Sequence, residues 1–591
     1  MRLALASPRP FGFWQGLSVL LLLKLVLSIG FFVGVVRQYG EEDTFVSLAL
    51  PSNEPGRTYL SSISQFRDVR DWQQWKGDPG DMYAFRISAL YPNTVALHLF
   101  GNSVYALTAW SMACGLGSVL AIALIGRQLG TPAAGLFSGA VLSLIPGHIL
   151  YSARVDTDIP QLFFLSFAIL FLVLALKASS ARAQKLAALG SGLTFGLLYL
   201  AKLLPSVLGL SWALLLPFAL CWMRDANTLR LALAKWRQAS IIGGLLLAGF
   251  LVVFVAENVL YHRLTGHWLL HWRIMKGNAI NIESWRTEHF LDLGRLRLWL
   301  PRDGCAEFFT HARLFGQSLF PARHFSDLYQ TPIHGWSWIL LAPCMALLAW
   351  LKFPGRKLAW LVIGGFVAYY IYQEFLWVYP KTEEGRLTLT YVHKVHRFIY
   401  PCYLGIALAC GLALGHWFRP RPPGSGACRH HLPRLAAAGA LVAFAIANYP
   451  CTVYFHRLFT GSLADIRRGI AEVGAIAPNG AQVYIPAGTE PFYQLYQYPK
   501  RYALSYFPES SPALVREGWA ILGGSLGRGL SSASFIEQYP PWLRPYYEEK
   551  EPCPSGWTLH ATTPSTIPDD HLPPVRVLKI ARLLTSPPPA L

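Results

Sequence analysis

Eleven apolar runs divide the first three quarters of the chain, at roughly 13–36, 104–126, 133–151, 159–176, 186–203, 205–223, 239–260, 336–351, 358–378, 399–418 and 435–454. Each is long enough to be read as a helix crossing a hydrocarbon layer about 30 Å thick. Beyond position 455 the pattern changes. "SLADIRRGIAEVGAIAP" spaces its apolar residues as an amphipathic helix does, the turn signal Pro478-Asn479-Gly480 follows, and "AQVYIPAG", "RYALSYF" and "GWAILGG" read as short strands. The expected fold is an α-helical polytopic membrane protein of about eleven transmembrane helices, residues 1–455. A small soluble α/β domain follows, residues 456–591. The first run is about 24 residues long and lacks a small-residue cleavage site, so it reads as an uncleaved span.

The polar residues between runs orient the chain. With the N-terminus inside, the inner segments hold Arg2 and Arg9, Arg127, Lys177 to Lys185, Arg224 to Arg237, Lys352 to Lys357, and Arg419 to Arg434. Every short basic loop then falls on the cytoplasmic side, as the positive-inside rule requires. Three long segments face out: 37–103, 261–335 and everything after about 455. The 37–103 loop carries "SSISQFRDVRDWQQW", a pattern for helices lying at the interface. The 261–335 loop is crowded with Arg, His and Trp and suits anchoring at the headgroup level.

Composition agrees with this picture and narrows it. Of 591 residues, 53% are hydrophobic and only 14% charged, with mean hydropathy +0.34, which excludes an ordinary soluble protein. The net charge of +19 sits largely in inter-run segments, a pattern of membrane topology rather than of a nucleic-acid surface. Nine cysteines show neither CxxC nor metal spacing, although Cys305, Cys451 and Cys553 could meet outside the membrane.

The candidate chemistry lies on the outward side. "HILYSARVDTDIPQLFF" places Arg154, Asp156 and Asp158 in a hairpin between two spans, where ionisable groups are functional candidates by default. Asp156 and Asp158 also suit the N-terminus of the following helix. "EEDTF" puts Glu41, Glu42 and Asp43 just past the first span, with Glu54 further on. Arg86 opens "RISALYPNTVALHLFG", Lys202 ends "LLYLAK", and His393, Lys394, His396 and Arg397 lie in "YVHKVHRFIYPCYLGIALACG".

In order and spacing these motifs resemble the GT-C class of integral membrane glycosyltransferases, especially protein O-mannosyltransferases and lipid A aminoarabinose transferases. That class carries an acidic pair and an aromatic after its first span, matched here by Glu41, Glu42 and Phe45, with Glu41 standing where the family has Asp. Asp43 or Glu54 could be the true counterpart. Arg86 takes the place of the family's Lys in its extended motif, Asp158 matches the acid of its hairpin, and Arg397 matches the basic residue opening a late span. The resemblance implies a sugar donor carried on a polyprenyl phosphate and a lipid, glycan or protein acceptor. A carboxylate would take the acceptor proton, and fixed cations would stabilise the departing phosphate. Glu41, Glu42, Asp43 and Asp158 are the catalytic candidates. Arg86, Arg154, Asp156, Lys202, Lys394, His396 and Arg397 are the substrate-binding ones. Direct attack implies inversion at the sugar carbon. No cofactor is required, and a divalent metal on the outward acids stays open.

Two other patterns carry less weight. "GGSLG", Gly523 to Gly527, fits a nucleophile elbow, but the tail is too short for a hydrolase sheet. His430-His431 lacks the spacing of a metal helix. A transporter or lipid flippase is the rival class; it would show charged or broken spans in corresponding halves. Here Lys24 is the main mid-span charge.

Overall fold

The structure is a computed structural model and describes residues 12–34, 63–69, 85–222, 229–274, 286–292, 335–353, 355–371, 378–383, 386–392, 400–418, 431–486, 493, 502–509, 514–522, 539–547, 554, 557–563 and 575–580. A helix occupies each of the eleven apolar runs. They are α1 (Phe13–Gly30), α3 (Val104–Leu129), the pair α4 (Pro132–Leu144) and α5 (Pro146–Ser152), α6 (Asp158–Lys177), α7 (Ala181–Ala201), α8 (Leu203–Trp222), α9 (Leu229–Thr265), α10 (Ser337–Trp350), α11 (Arg356–Ile371), α12 (Cys402–His416) and α13 (His431–Ile476). Among the described residues, six helices are long and apolar enough to cross a membrane by themselves, or seven if the bent pair α4–α5 counts as one span. A helix is one of two ways to satisfy every backbone group without water, so apolar runs of this length fold as helices.

Two departures from the sequence pattern matter. The run 133–151 is not one straight span: α4 and α5 meet at 72° across Ile145. Pro146 is the cause, because it supplies no N–H to the preceding turn and its ring clashes with a continuing helix. At the other end, α13 runs unbroken through the expected boundary at 455/456, so the last span and the first helix of the C-terminal part are one element.

Close helix packing uses small residues. On α12, Gly411 and Gly415 face α4 so tightly that a Cβ at either would fall within 2.0 Å of Ser138 Oγ or 2.3 Å of Ala134 Cα. Four-residue spacing places both glycines on one face, letting the backbones approach as dispersion requires where no hydrophobic drive exists.

The outward segments add α2 (Ile87–Phe100) and a three-stranded antiparallel sheet of order β1-β3-β2, formed by β1 (Arg286–Asp292), β2 (Val378–Glu383) and β3 (Arg386–Val392). The C-terminal part is a five-stranded sheet of order β5-β4-β6-β8-β7. Strands β4 (Gln482–Ile485), β5 (Ala503–Tyr506) and β6 (Gly518–Leu522) are parallel, and β7 (Trp557–Thr563) and β8 (Val575–Ile580) complete it antiparallel. The first three strands are the three expected from sequence. Alternation splits their side chains between two faces. Val483, Ile485 and Ile521 join the core that includes Ile470 and Val473 of α13, while Tyr484, Ala520 and Leu522 pack with Phe507 and Trp557.

Candidate active site

The hairpin between α5 and α6 is held by backbone first. Past α1, Val33 and Gly34 donate to Ala153 O at 3.1 and 2.9 Å, and Val155 donates back to Gly34 O at 3.0 Å, forming a parallel bridge between Gly34 and Arg154. Gly34 sits at φ +78°, and a Cβ there would fall 2.7 Å from Val104 Cγ1, so both conformation and space require glycine. Arg467, on α13, donates to Val33 O at 3.1 Å and closes this junction from the other side. The chain thus leaves the first span pinned to the hairpin, seven residues in sequence before Glu41.

On that frame the charged side chains meet. Asp156 Oδ1 accepts the N–H of Asp158 at 2.8 Å, an Asx-type cap on α6, while its Oδ2 pairs with Arg154 Nη2 at 3.0 Å. The Arg154 guanidinium also lies 4.6 Å from the Tyr151 ring centroid. Asp158, wholly buried, pairs with Lys202 Nζ at 2.5 Å; Lys202 follows α7 immediately. Arg86, at the N-terminus of α2, donates from Nη1 to Thr157 Oγ1 at 2.6 Å. Ser88 ties the same helix to Leu197 O of α7 at 2.7 Å. Five candidates spread over more than a hundred residues therefore converge at one end of the bundle: Arg86, Arg154, Asp156, Asp158 and Lys202.

Behind the hairpin, side chains from three other helix regions reach the backbone on both sides of the α4–α5 break. Asn448 donates to Leu144 O at 3.2 Å, Tyr400 to Gly147 O at 2.9 Å, and Lys24 to His148 O at 3.0 Å. Asn448 also accepts from Trp336 N at 2.8 Å, and Tyr400 stacks edge-on against Tyr151 at 5.0 Å. Lys24, the mid-span charge of the sequence, thus acts on backbone. Irregular backbone at membrane depth is tolerated only where protein satisfies it in this way.

A cavity of about 140 Å³, lined almost entirely by apolar groups, lies among α6, α8 and α11, its lining starting seven residues past Asp158 and three past Lys202. Leu165 and Ile169 of α6, Leu208 and Trp212 of α8, and Val362 and Phe366 of α11 form its walls, with Pro401 at its rim beside Tyr400.

Glu41, Glu42, Asp43, Glu54, His393, Lys394, His396 and Arg397 lie outside the described residues, as do the Gly523 to Gly527 motif, Cys305 and Cys553. Cys451 is a buried free thiol within α13. Among the described residues, no group of three His, Cys, Asp or Glu side chains could hold a metal ion. Sequence reading missed a second buried pair, Glu257 and His271, joined at 2.9 Å. An acid inside the apolar run "VVFVAENVLYH" was the available signal.

The helical membrane core gathers paired charges at one end and holds an apolar cavity among α6, α8 and α11. Residues 89–255, which include the hairpin and helices α3 to α8, match the family model described as dolichyl-phosphate-mannose-protein mannosyltransferase. No curated protein matches the chain by sequence. Among solved structures, ArnT from Cupriavidus metallidurans bound to undecaprenyl phosphate is 12% identical at TM-score 0.47, with 97% of this chain and 99% of that one covered. The Archaeoglobus fulgidus oligosaccharyltransferase tethered to an acceptor peptide is 14% identical at TM-score 0.47, covering 87% and 69%. The mycobacterial arabinofuranosyltransferase AftD is 14% identical at 0.43, covering 96% and 41%.

Proposed function

We propose that this membrane glycosyltransferase moves a sugar from a polyprenyl-phosphate donor to a hydroxyl of a lipid, glycan or protein acceptor on the extracytoplasmic face. The observation that carries the reading is the pairing of charge with apolar space along the same helices: Lys202 and Asp158 meet at the bundle end, and an apolar cavity is lined from Pro205, three residues after Lys202, and Leu165, seven after Asp158. A polyprenyl phosphate has the same two-part chemistry, an anionic head on a hydrocarbon tail. The basic inner loops support the outward orientation of this end.

In this mechanism the cations stabilise the phosphate as its charge grows, an effect strengthened in a water-poor site. Asp158 fixes Lys202 and keeps it from the headgroup region where a free lysine would snorkel. The base that takes the acceptor proton is an acid of the first outer loop, Glu41 with Glu42 or Asp43 as alternates, tethered to the hairpin through the Gly34 bridge. Attack on the anomeric carbon expels polyprenyl phosphate and inverts that carbon. The test is consumption of a panel of labelled polyprenyl-phosphate sugars by the purified chain in nanodiscs. Transfer to an acceptor with release of the lipid phosphate is expected, and amide replacement of the true base should cost about two decades of rate or more. Movement of the intact lipid-linked sugar across sealed vesicles, without cleavage, would favour the flippase reading. Full activity in all three single amides would shift the base to Glu54.

A further inference from the structure

The chain reverses sharply after α9 and returns a histidine to that helix. Gly266 at φ +78° and Leu269 at φ +54° make the reversal. A left-handed leucine is strained and persists only where its surroundings over-determine it. They do so here: Asn258 Oδ1 accepts the Leu269 N–H at 2.9 Å, Thr265 Oγ1 accepts the His267 N–H at 3.2 Å, and Arg67 donates twice to Leu264 O. The product of this reversal is His271 Nδ1 at 2.9 Å from Glu257 Oε1, both buried. The imidazole is sandwiched by aromatic rings. Tyr199 of α7 lies 5.0 Å away, tilted by 44°, and Phe85 stacks nearly parallel at 5.7 Å and 25°. Phe85 is further fixed edge-on by Tyr261 at 5.2 Å.

Phe85 immediately precedes Arg86, and Tyr199 precedes Lys202 by one helical turn. The buried pair therefore touches both segments that carry the outward cations, yet neither Glu257 nor His271 is among the groups at the hairpin. We propose that Glu257 and His271 are positioning residues for the lipid phosphate. They hold the ring of Phe85 so that Arg86 arrives at Thr157 already aimed, and they hold the end of α7 so that Lys202 reaches Asp158. A side chain locked by neighbours in this way loses less freedom on binding, which is how supporting shells strengthen a charged contact without touching the ligand.

This inference rests on the transferase reading, but its test does not need turnover. Binding of undecaprenyl phosphate to the full chain in nanodiscs is measured for wild type, Glu257→Gln, Phe85→Leu and Arg86→Ala, and for each of the first two combined with Arg86→Ala. Glu257→Gln and Phe85→Leu should each weaken binding about tenfold; once Arg86 is gone the Phe85→Leu loss should shrink to less than about twofold and the Glu257→Gln loss should shrink to the part that acts through Lys202, since residues acting through one contact are not additive. Phe85→Leu leaves the buried pair intact, so it decides the matter if Glu257→Gln does not insert. Where the wild type also transfers sugar, the donor KM should rise with kcat nearly kept. Additive losses, unchanged binding in both single variants, or a wild type that binds no polyprenyl phosphate would overturn the proposal. Binding that behaves as expected without any sugar transfer would instead remove the transferase reading and leave the positioning role standing.

Discussion

Two polar clusters are buried in the membrane half, and they differ in what their side chains address. At the hairpin, charge meets charge: Asp158 with Lys202, Asp156 with Arg154, and Arg86 beside them on Thr157. At the broken helix, Lys24, Tyr400 and Asn448 all donate to backbone carbonyls that flank the kink at Pro146. An intramembrane lysine occurs in each cluster, so burial of a charge does not by itself mark chemistry. A side chain bonded to backbone completes the fold, whereas paired side chains that project from several helix ends can exchange partners with a ligand. Lys202 falls in the second kind and Lys24 in the first.

The comparison is broken most decisively by Asp158. Asp158→Asn keeps the shape of the side chain but removes the charge that holds Lys202, and sugar transfer should fall at least about a hundredfold, the scale of losing a charged participant. Lys202→Met should match it, with membrane insertion retained in both, as read by transfer rate and detergent-resistant folding. Activity near wild type in either would make the hairpin as structural as the kink.

Next in size is Asp156, whose carboxylate both caps α6 and neutralises a buried guanidinium. Asp156→Asn keeps the cap acceptor yet removes the carboxylate charge that faces Arg154, so the loss should exceed a simple cap and reach about 3 kcal/mol, the lower end for breaking a buried pair. Adding Arg154→Met should recover part of it. Thermal and chemical unfolding of the two variants test this; a double variant less stable than Asp156→Asn would contradict the pairing.

Lys24→Met sharpens the contrast from the other side. It strips one donor from His148 O, which keeps the Ser152 hydroxyl, and should lower stability by about 0.5–1.5 kcal/mol, the net worth of one hydrogen bond, while turnover per folded molecule stays at the wild-type level. A large fall in turnover would bring Lys24 into the chemistry and erase the distinction drawn here.

The smallest expected effect is the most specific. Arg86→Lys retains the charge but lacks the planar fork, so donor KM should rise only several-fold, with a larger rise for Arg86→Ala. Equal values for both would mean that the guanidinium geometry is not used.

Much of this was legible in the residues. Apolar runs located the helices, because spanning length and backbone satisfaction leave little alternative in hydrocarbon. The "AQVYIPAG", "RYALSYF" and "GWAILGG" patterns marked strands β4, β5 and β6, and the match of Arg86, Asp158 and Lys202 to one outward side anticipated their meeting. The bend after Leu144 was less plain: Pro146 was visible, but some prolines within spans are absorbed and others break the helix, and here Asn448, Tyr400 and Lys24 reach the backbone around the break and sustain it. Glu257 and His271 were missed because a periodicity reading treats one acid in an apolar run as an exception and a loop histidine as surface.

The sequence by itself determined that this is a membrane protein, where its helices lie, the side of the membrane its basic loops prefer, and the match of residues 89–255 to a mannosyltransferase family model. These follow from local quantities, hydropathy and charge per segment, that each segment carries wherever it packs. Only the tertiary structure decided which charge pairs with which: that Lys202 takes Asp158, that Asp156 divides its oxygens between a cap and Arg154, and that Lys24 serves the backbone instead. Pairing depends on distances of about 3 Å between helices far apart in sequence, and those distances are set by close approaches such as Gly411 against Ser138 and Gly34 against Val104, which no single segment contains.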